Sequence, residues 1–235
     1  MNAKSWKKAS SFIAFVMLLG LGCKEKGSSI KDDGNAENAS SESASLPYFG
    51  EPDIQLTRLA NGSQVADTIQ YTIPKFSFIN QDNKEISHRD YQNKIFVTDF
   101  FFTECPTICP VMSAQMARLQ NLIKKENMEK DIMFLSFSVK PEHDTPEILK
   151  TYGEGIAADF TTWNFLTGKS SDIYELAESG FMLSAFPSDT AEGGIFHTDK
   201  ISLIDRQMHI RGYYDGTSTK SVDQLFSDIK KLVKE

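Results

Sequence analysis

From Leu46 onward the apolar and polar positions follow two different periods, and each change of period marks a new element. Ile69 to Ile73 and Lys75 to Ile79 alternate apolar and polar residues on either side of Pro74, and Asn80 to Asn83 supplies turn chemistry. Short strands or a hairpin are therefore expected ahead of the main fold. Ile95 to Phe102 (IFVTDFFF) is a nearly continuous apolar run, the pattern of a strand buried on both faces. Cys109, Met112, Met116, Leu119 and Ile123 then recur at spacings of three and four, the stripe of an amphipathic helix. Ile132 to Val139 predicts the next strand, and Asp144-Thr145-Pro146 predicts a helix start with Thr145 as cap and Pro146 in the first turn. Trp163 to Leu166 reads as another strand, and Ser171 to Ser179 carries Ile173, Leu176 and Ala177 at helical spacing. A loop rich in Gly, Ser and Asp reaches Gly194. Strands around His197 to Ile204 and His209 to Tyr214 follow, joined by a turn near Arg206. The last helix places Val222, Leu225, Phe226, Ile229, Leu232 and Val233 on one face.

Strand, helix, strand, helix, then two strands and a helix is the α/β order of a thioredoxin-like fold, here with extra N-terminal strands or a hairpin. Upstream the pattern is different. Lys4, Lys7 and Lys8 form a basic segment before the apolar run Phe12 to Leu21, which is short for a bilayer span and reads as a signal peptide, residues 1–22. Gly22-Cys23 closes the run as a bacterial lipobox does, with Cys23 as the lipidated residue, although Gly20 stands where leucine is commoner. Residues 23–45 hold almost no large apolar side chain and read as a flexible tether behind that anchor. Residues 46–235 are the expected folded domain, exported and facing the periplasm or cell exterior from a bacterial membrane.

Composition narrows the function. The 235 residues, 40% hydrophobic, suffice for one sizeable core. The formal net charge of -7, with no Lys or Arg run outside the leader, argues against a nucleic-acid partner. With Cys23 assigned to lipid, the exported domain keeps two cysteines, Cys105 and Cys109, in a compartment where thiols tend to be oxidised.

That pair lies in Thr103-Glu104-Cys105-Pro106-Thr107-Ile108-Cys109-Pro110, where a buried strand gives way to a helix, the edge at which open α/β sheets hold ligands. A helix start favours thiolate over thiol, and Pro106 suits a first turn. Cysteines four apart on a helix are close enough to oxidise or to grip one ion. A stapling disulfide over so short a loop would add little stability. A soft ion held by two thiolates also wants further ligands, and cuprous copper takes sulfur with imidazole. Of the histidines, His88, His143 and His209 lie in polar turns or beside capping sequences and read as structural. His197 follows the Gly193-Gly194 loop at the start of an expected strand, and the residues alone leave it open between ligand and structure. Met112 and Met116 fall on the core stripe, Phe100 to Phe102 read as buried strand, and Asp99 is either an edge residue or one that influences the cysteines.

Phe102-Thr103-Glu104-Cys105-Pro106-Thr107-Ile108-Cys109-Pro110, then Phe137-Ser138-Val139-Lys140-Pro141-Glu142-His143-Asp144-Thr145-Pro146, then His197-Thr198 leading into Ser202-Leu203-Ile204-Asp205, resembles the Sco/SenC family in content and order. The likeness runs from about Thr72 to the C-terminus. It implies a thioredoxin-like scaffold binding a copper ion through Cys105, Cys109 and His197, and a metallochaperone role in maturing the CuA centre of cytochrome c oxidase, whose copper-binding subunit would be the partner. Two positions depart from the family's habit: Lys140 stands where an acid is common before Pro141, and Phe196 where an acid often precedes the histidine. The competing reading is a thiol-disulfide oxidoreductase acting on partner cysteines, with Cys105 and Cys109 as its redox pair and no need of His197. A cysteine peroxidase is weaker still, since two neighbouring cysteines alone do not support it.

Overall fold

The computed structural model describes residues 45–235. The expected signal peptide, Cys23 and most of the tether lie outside the described residues. Strand β1 (Asp53–Arg58) and strand β2 (Gln64–Ile69) form an antiparallel hairpin whose side chains are all exposed. The strand expected over Ile69 to Ile73 does not form: β2 ends at Ile69, and the chain beyond it has other partners. Tyr71 donates its hydroxyl to the Ser179 carbonyl at 2.7 Å, Ile73 N–H donates to the Met208 carbonyl at 2.9 Å, and Pro74 has no N–H for a ladder. Strand β3 (Ser77–Asn80) and strand β4 (Glu85–Ser87) are the hairpin read around Asn80 to Asn83, with Asn83 at φ 57°. They do not stand ahead of the sheet but form one edge of it.

Strand β5 (Ile95–Phe101) is buried along its whole length. It pairs in parallel with β6 (Ile132–Ser138) and antiparallel with a later strand, so Asp99 sits at the centre of the sheet and not at an edge. Between them runs α1 (Ile108–Lys125), which buries Cys109, Met112, Met116, Leu119 and Ile123, the stripe read from the sequence. Helix α2 (Pro146–Gly155) begins as expected, with Thr145 capping Ile148 N–H, and leads to β7 (Trp163–Thr167), parallel to β6. Helix α3 (Ser170–Glu175) continues into a wide turn at Leu176–Gly180.

The segment expected as loop contains β8 (Ala185–Pro187), which pairs with β9 (Ile195–His197) as a separate ribbon. His197 therefore ends a short strand and does not begin the one that follows. Thr198 breaks the run, its hydroxyl accepting from Lys200 N–H at 3.2 Å, and β10 (Lys200–Ile204) starts afresh. Strand β11 (Ile210–Asp215) and α4 (Thr219–Leu232) complete the chain. The main sheet runs β11-β10-β5-β6-β7-β3-β4, the thioredoxin-like arrangement expected.

Alternation along β5 builds two aromatic layers. Phe101 meets Tyr152 of α2 at 5.2 Å, while Phe100 faces the other way onto Phe137 at 5.2 Å and Phe181 at 5.5 Å. The buried Arg211 guanidinium closes the fold at its termini. It donates to the Leu46 carbonyl at 2.7 Å and the Pro47 carbonyl at 3.1 Å, and pairs with Asp205 at 3.0 Å and Glu235 at 3.1 Å. Removing Asp205 would leave this buried cation with only the partly exposed Glu235 to pair it, which approaches the expensive case of a broken buried ion pair.

Candidate metal centre

Cys105 and Cys109 reach each other by a route other than the helical spacing suggested. Helix α1 begins at Ile108, so Cys109 is its second residue and Cys105 lies before it, in a turn closed by Cys105 N–H to the Phe102 carbonyl at 3.3 Å. Pro106 thus precedes the helix, and Pro110 occupies the first turn, where its missing N–H is harmless. The turn is held from below by Asp144, a fully buried carboxylate that accepts from the Thr103 backbone N–H at 3.1 Å and from the Thr103 and Ser138 hydroxyls. These charge-assisted bonds fix the chain two residues before Cys105.

His197 arrives from across the fold, 88 residues after Cys109. Its Nδ1 faces the Thr198 carbonyl at 3.1 Å, so that nitrogen carries the proton and Nε2 keeps its lone pair. Nε2 lies 3.4 Å from the Cys109 sulfur and 4.0 Å from the Cys105 sulfur. The imidazole stands edge-on to Phe102 at 5.5 Å between ring centres. Gly193 lets the strand carrying His197 approach that ring: a β-carbon there would lie 2.6 Å from Phe102, and its φ of +76° suits glycine.

The three donor atoms all lie within 4.8 Å of one another. Soft-metal bonds of about 2.0 to 2.3 Å place the donors of one ion about 3.5 to 4 Å apart, so the triad fits a single ion with little movement. Two sulfurs and an imidazole are the donor set of a soft ion such as cuprous copper. Among the described residues no carboxylate joins the group, which sets it apart from a hard-cation site.

The two thiols differ electrostatically. Burial works against ionising Cys105, yet N–H groups of Cys109 and Thr107 and the side chains of Cys109 and Thr107 outweigh it and hold the Cys105 thiol below its usual range. Burial pushes the Cys109 thiol well up, and the neighbouring Cys105 and Asp99 add to this. Burial pushes His197 down, keeping the imidazole neutral and available. Asp99, below the site, is 1% exposed and accepts from Ser136, which in turn accepts from the Trp163 indole at 2.9 Å. Burial raises its carboxyl from 3.8 to about 7.

The remaining histidines are placed elsewhere. His88 contacts the Phe76 carbonyl at 3.3 Å and His209 pairs with Asp205 at 3.1 Å. His143 sits between Asp144 at 2.8 Å and Glu104 at 3.1 Å, and Lys140 binds Glu104 at 2.8 Å, making a charged rim beside Cys105. Met112 and Met116 are fully buried in the core. The sequence did not single out Thr103, Asp144 as a turn anchor, or Phe102 as the wall behind His197. Only the Asp-Thr-Pro motif hinted at Asp144, and as a helix start.

The SCO1/SenC family model matches residues 65–234. The SCO1 protein homolog of Bacillus subtilis (strain 168) is 35% identical over 170 residues, covering 72% of this chain and 86% of that protein. Among solved structures, a SCO1/SenC family lipoprotein from Bacillus anthracis str. Ames is 36% identical with a TM-score of 0.64, covering 69% of this chain and 95% of that one. BsSco, described as having a disulfide switch and as a member of the Sco family of cytochrome c oxidase assembly proteins, is 34% identical with a TM-score of 0.62, covering 69% and 93%. A match of this extent, on a chain whose two cysteines and distal histidine converge, leads to one conclusion: the protein belongs to the SCO1/SenC family.

Proposed function

We propose that this protein is a copper metallochaperone, holding a copper ion on Cys105, Cys109 and His197 and delivering it to the copper subunit of a cytochrome c oxidase. The observation that carries the reading is the convergence of two sulfurs and a free imidazole Nε2 within 4.8 Å. BsSco, the relative described as an oxidase assembly protein, supports the delivery role. Loading the site displaces thiol protons, so affinity rises with pH. Cys105, the more acidic thiol, offers the first thiolate, and Cys109 ionises as the bond to it forms. Release is the reverse: acceptor thiolates replace these ligands one at a time.

Export and anchoring through lipid on Cys23 belong to the same reading, supported by the leader pattern and by the lipoprotein relative. Among the described residues no helix is long and apolar enough to cross a membrane, so an anchor would lie upstream.

The nearness of the two thiols also supports thiol-disulfide exchange with partner cysteines. His197→Ala separates the readings. Copper retention against a competing chelator is expected to fall at least about 100-fold while disulfide reduction stays near wild type. A variant that keeps its copper and loses reductase activity contradicts the metallochaperone.

A further inference from the structure

The three ligand side chains are buried, with Cys105 7%, Cys109 1% and His197 9% exposed. An ion exchanged with another molecule must reach them through an opening. His197 forms part of the wall of one surface cleft of about 510 Å³, together with Ile108, Met182, Leu183 and Phe196. Of the three ligands His197 is the one in this wall, and the two sulfurs lie behind its Nε2 at 3.4 and 4.0 Å.

Met182 stands out in this wall twice. Its side chain is 43% exposed, where methionine ordinarily fills gaps in a core. Its backbone has φ +54°, a left-handed conformation that costs a non-glycine residue free energy and persists only when its surroundings impose it. The surroundings do impose it. Phe181 on one side is fully buried, its N–H donating to the Leu176 carbonyl at 2.9 Å and its carbonyl accepting from the Tyr213 hydroxyl at 2.8 Å. Leu183 on the other side is buried too, its N–H donating to the Ala177 carbonyl at 2.8 Å. Two inward anchors on adjacent sides leave the residue between them presented at the cleft.

We propose that the Met182 thioether is an entry subsite for cuprous ion, taking it from its donor and passing it to His197, the ligand in the same cleft wall, and so to the two sulfurs behind it. This rests on the copper reading above. A thioether is soft and carries no proton, so it selects cuprous copper over zinc or cupric ion and binds without waiting for a thiol to ionise. As a single neutral ligand it also holds the ion weakly enough to release it. In the transfer a bond from copper to the Met182 sulfur breaks as one to the His197 Nε2 forms, and the bonds to the Cys105 and then the Cys109 sulfur follow. The proton of each thiol passes to solvent as its sulfur binds, and the ion remains cuprous throughout, with no electron moved.

Two measurements on the full chain test this. Cuprous ion offered as its bicinchoninate complex is expected to load Met182→Leu about tenfold more slowly than wild type, at unchanged equilibrium affinity. The leucine keeps the apolar surface and meets the same backbone strain, so only the sulfur is lost. In Cys105→Ser/Cys109→Ser protein labelled with ¹³C-methyl methionine, cuprous ion is expected to shift the Met182 methyl resonance. Loading of Met182→Leu at the wild-type rate, or an unmoved methyl resonance, overturns the subsite and leaves the copper reading intact. Wild-type protein that retains no copper removes both.

Discussion

Asp99→Asn probes the electrostatics beneath the site. In the folded protein burial raises this carboxyl from 3.8 to about 7, while in the unfolded chain it returns to the ordinary range. Because the folded value lies above the unfolded one, the stability it contributes is complete below about pH 4 and is lost as pH rises through 7. From pH 5 to pH 8 the wild type should therefore lose about 2.5 kcal/mol that the asparagine variant keeps. Asparagine can still accept from the Ser136 hydroxyl that now binds Asp99. Comparing the two proteins across pH cancels the constant cost of the exchange and the titration of groups common to both. Urea unfolding at pH 5, 6, 7 and 8 under reducing conditions reads the difference. Stability curves that stay parallel across that range would refute the claim that Asp99 is a desolvated, protonated carboxyl at the sheet centre.

Other consequences follow from the supports of the site. Asp144→Ala removes the acceptor for Thr103 and Ser138 and is expected to destabilise the fold by about 2 to 4 kcal/mol, read as a lower urea midpoint, with weaker copper retention; unchanged stability contradicts its anchoring role. Gly193→Ala forces a β-carbon into the Phe102 ring at a left-handed φ and is expected to cost about 1 to 3 kcal/mol and to shift the His197 ring resonances in an NMR spectrum. A variant with wild-type stability and resonances would show that the ring has room to spare. Copper retention in a chelator competition is expected to weaken as pH falls from 8 to 6, since the burial-raised Cys109 thiol recaptures its proton first. A flat profile contradicts dithiolate ligation.

Much of this was legible in the sequence where the signal is local. The buried strand β5, the stripe of α1 and the Thr145 cap of α2 each follow from a few neighbouring residues. The β1–β2 hairpin was missed because it buries neither face, leaving the hydrophobic pattern nothing to report. The β8–β9 ribbon hides in a segment whose glycines and aspartate read as loop. Cys105 and Cys109 were conspicuous as a pair, but their meeting depends on a turn and not on helical spacing. His197 is the clearest limit: residue spacing carries no trace of a contact made across 88 residues, the Gly193-Gly194 loop before it left its role open, and the likeness to a family made it a ligand. Asp144 was read as part of a helix start, when its larger task is to hold Thr103.

The most direct test of the account is X-ray absorption at the copper edge on the reduced protein loaded with one equivalent of cuprous ion, alongside Cys105→Ser, Cys109→Ser and His197→Ala. Two sulfurs and one imidazole nitrogen around the copper in the wild type, with one sulfur lost in each serine variant and the imidazole signal lost in the alanine variant, is the expected result. A wild-type spectrum without two sulfurs, or one that none of the three substitutions alters, would contradict the assignment of Cys105, Cys109 and His197 as the copper site.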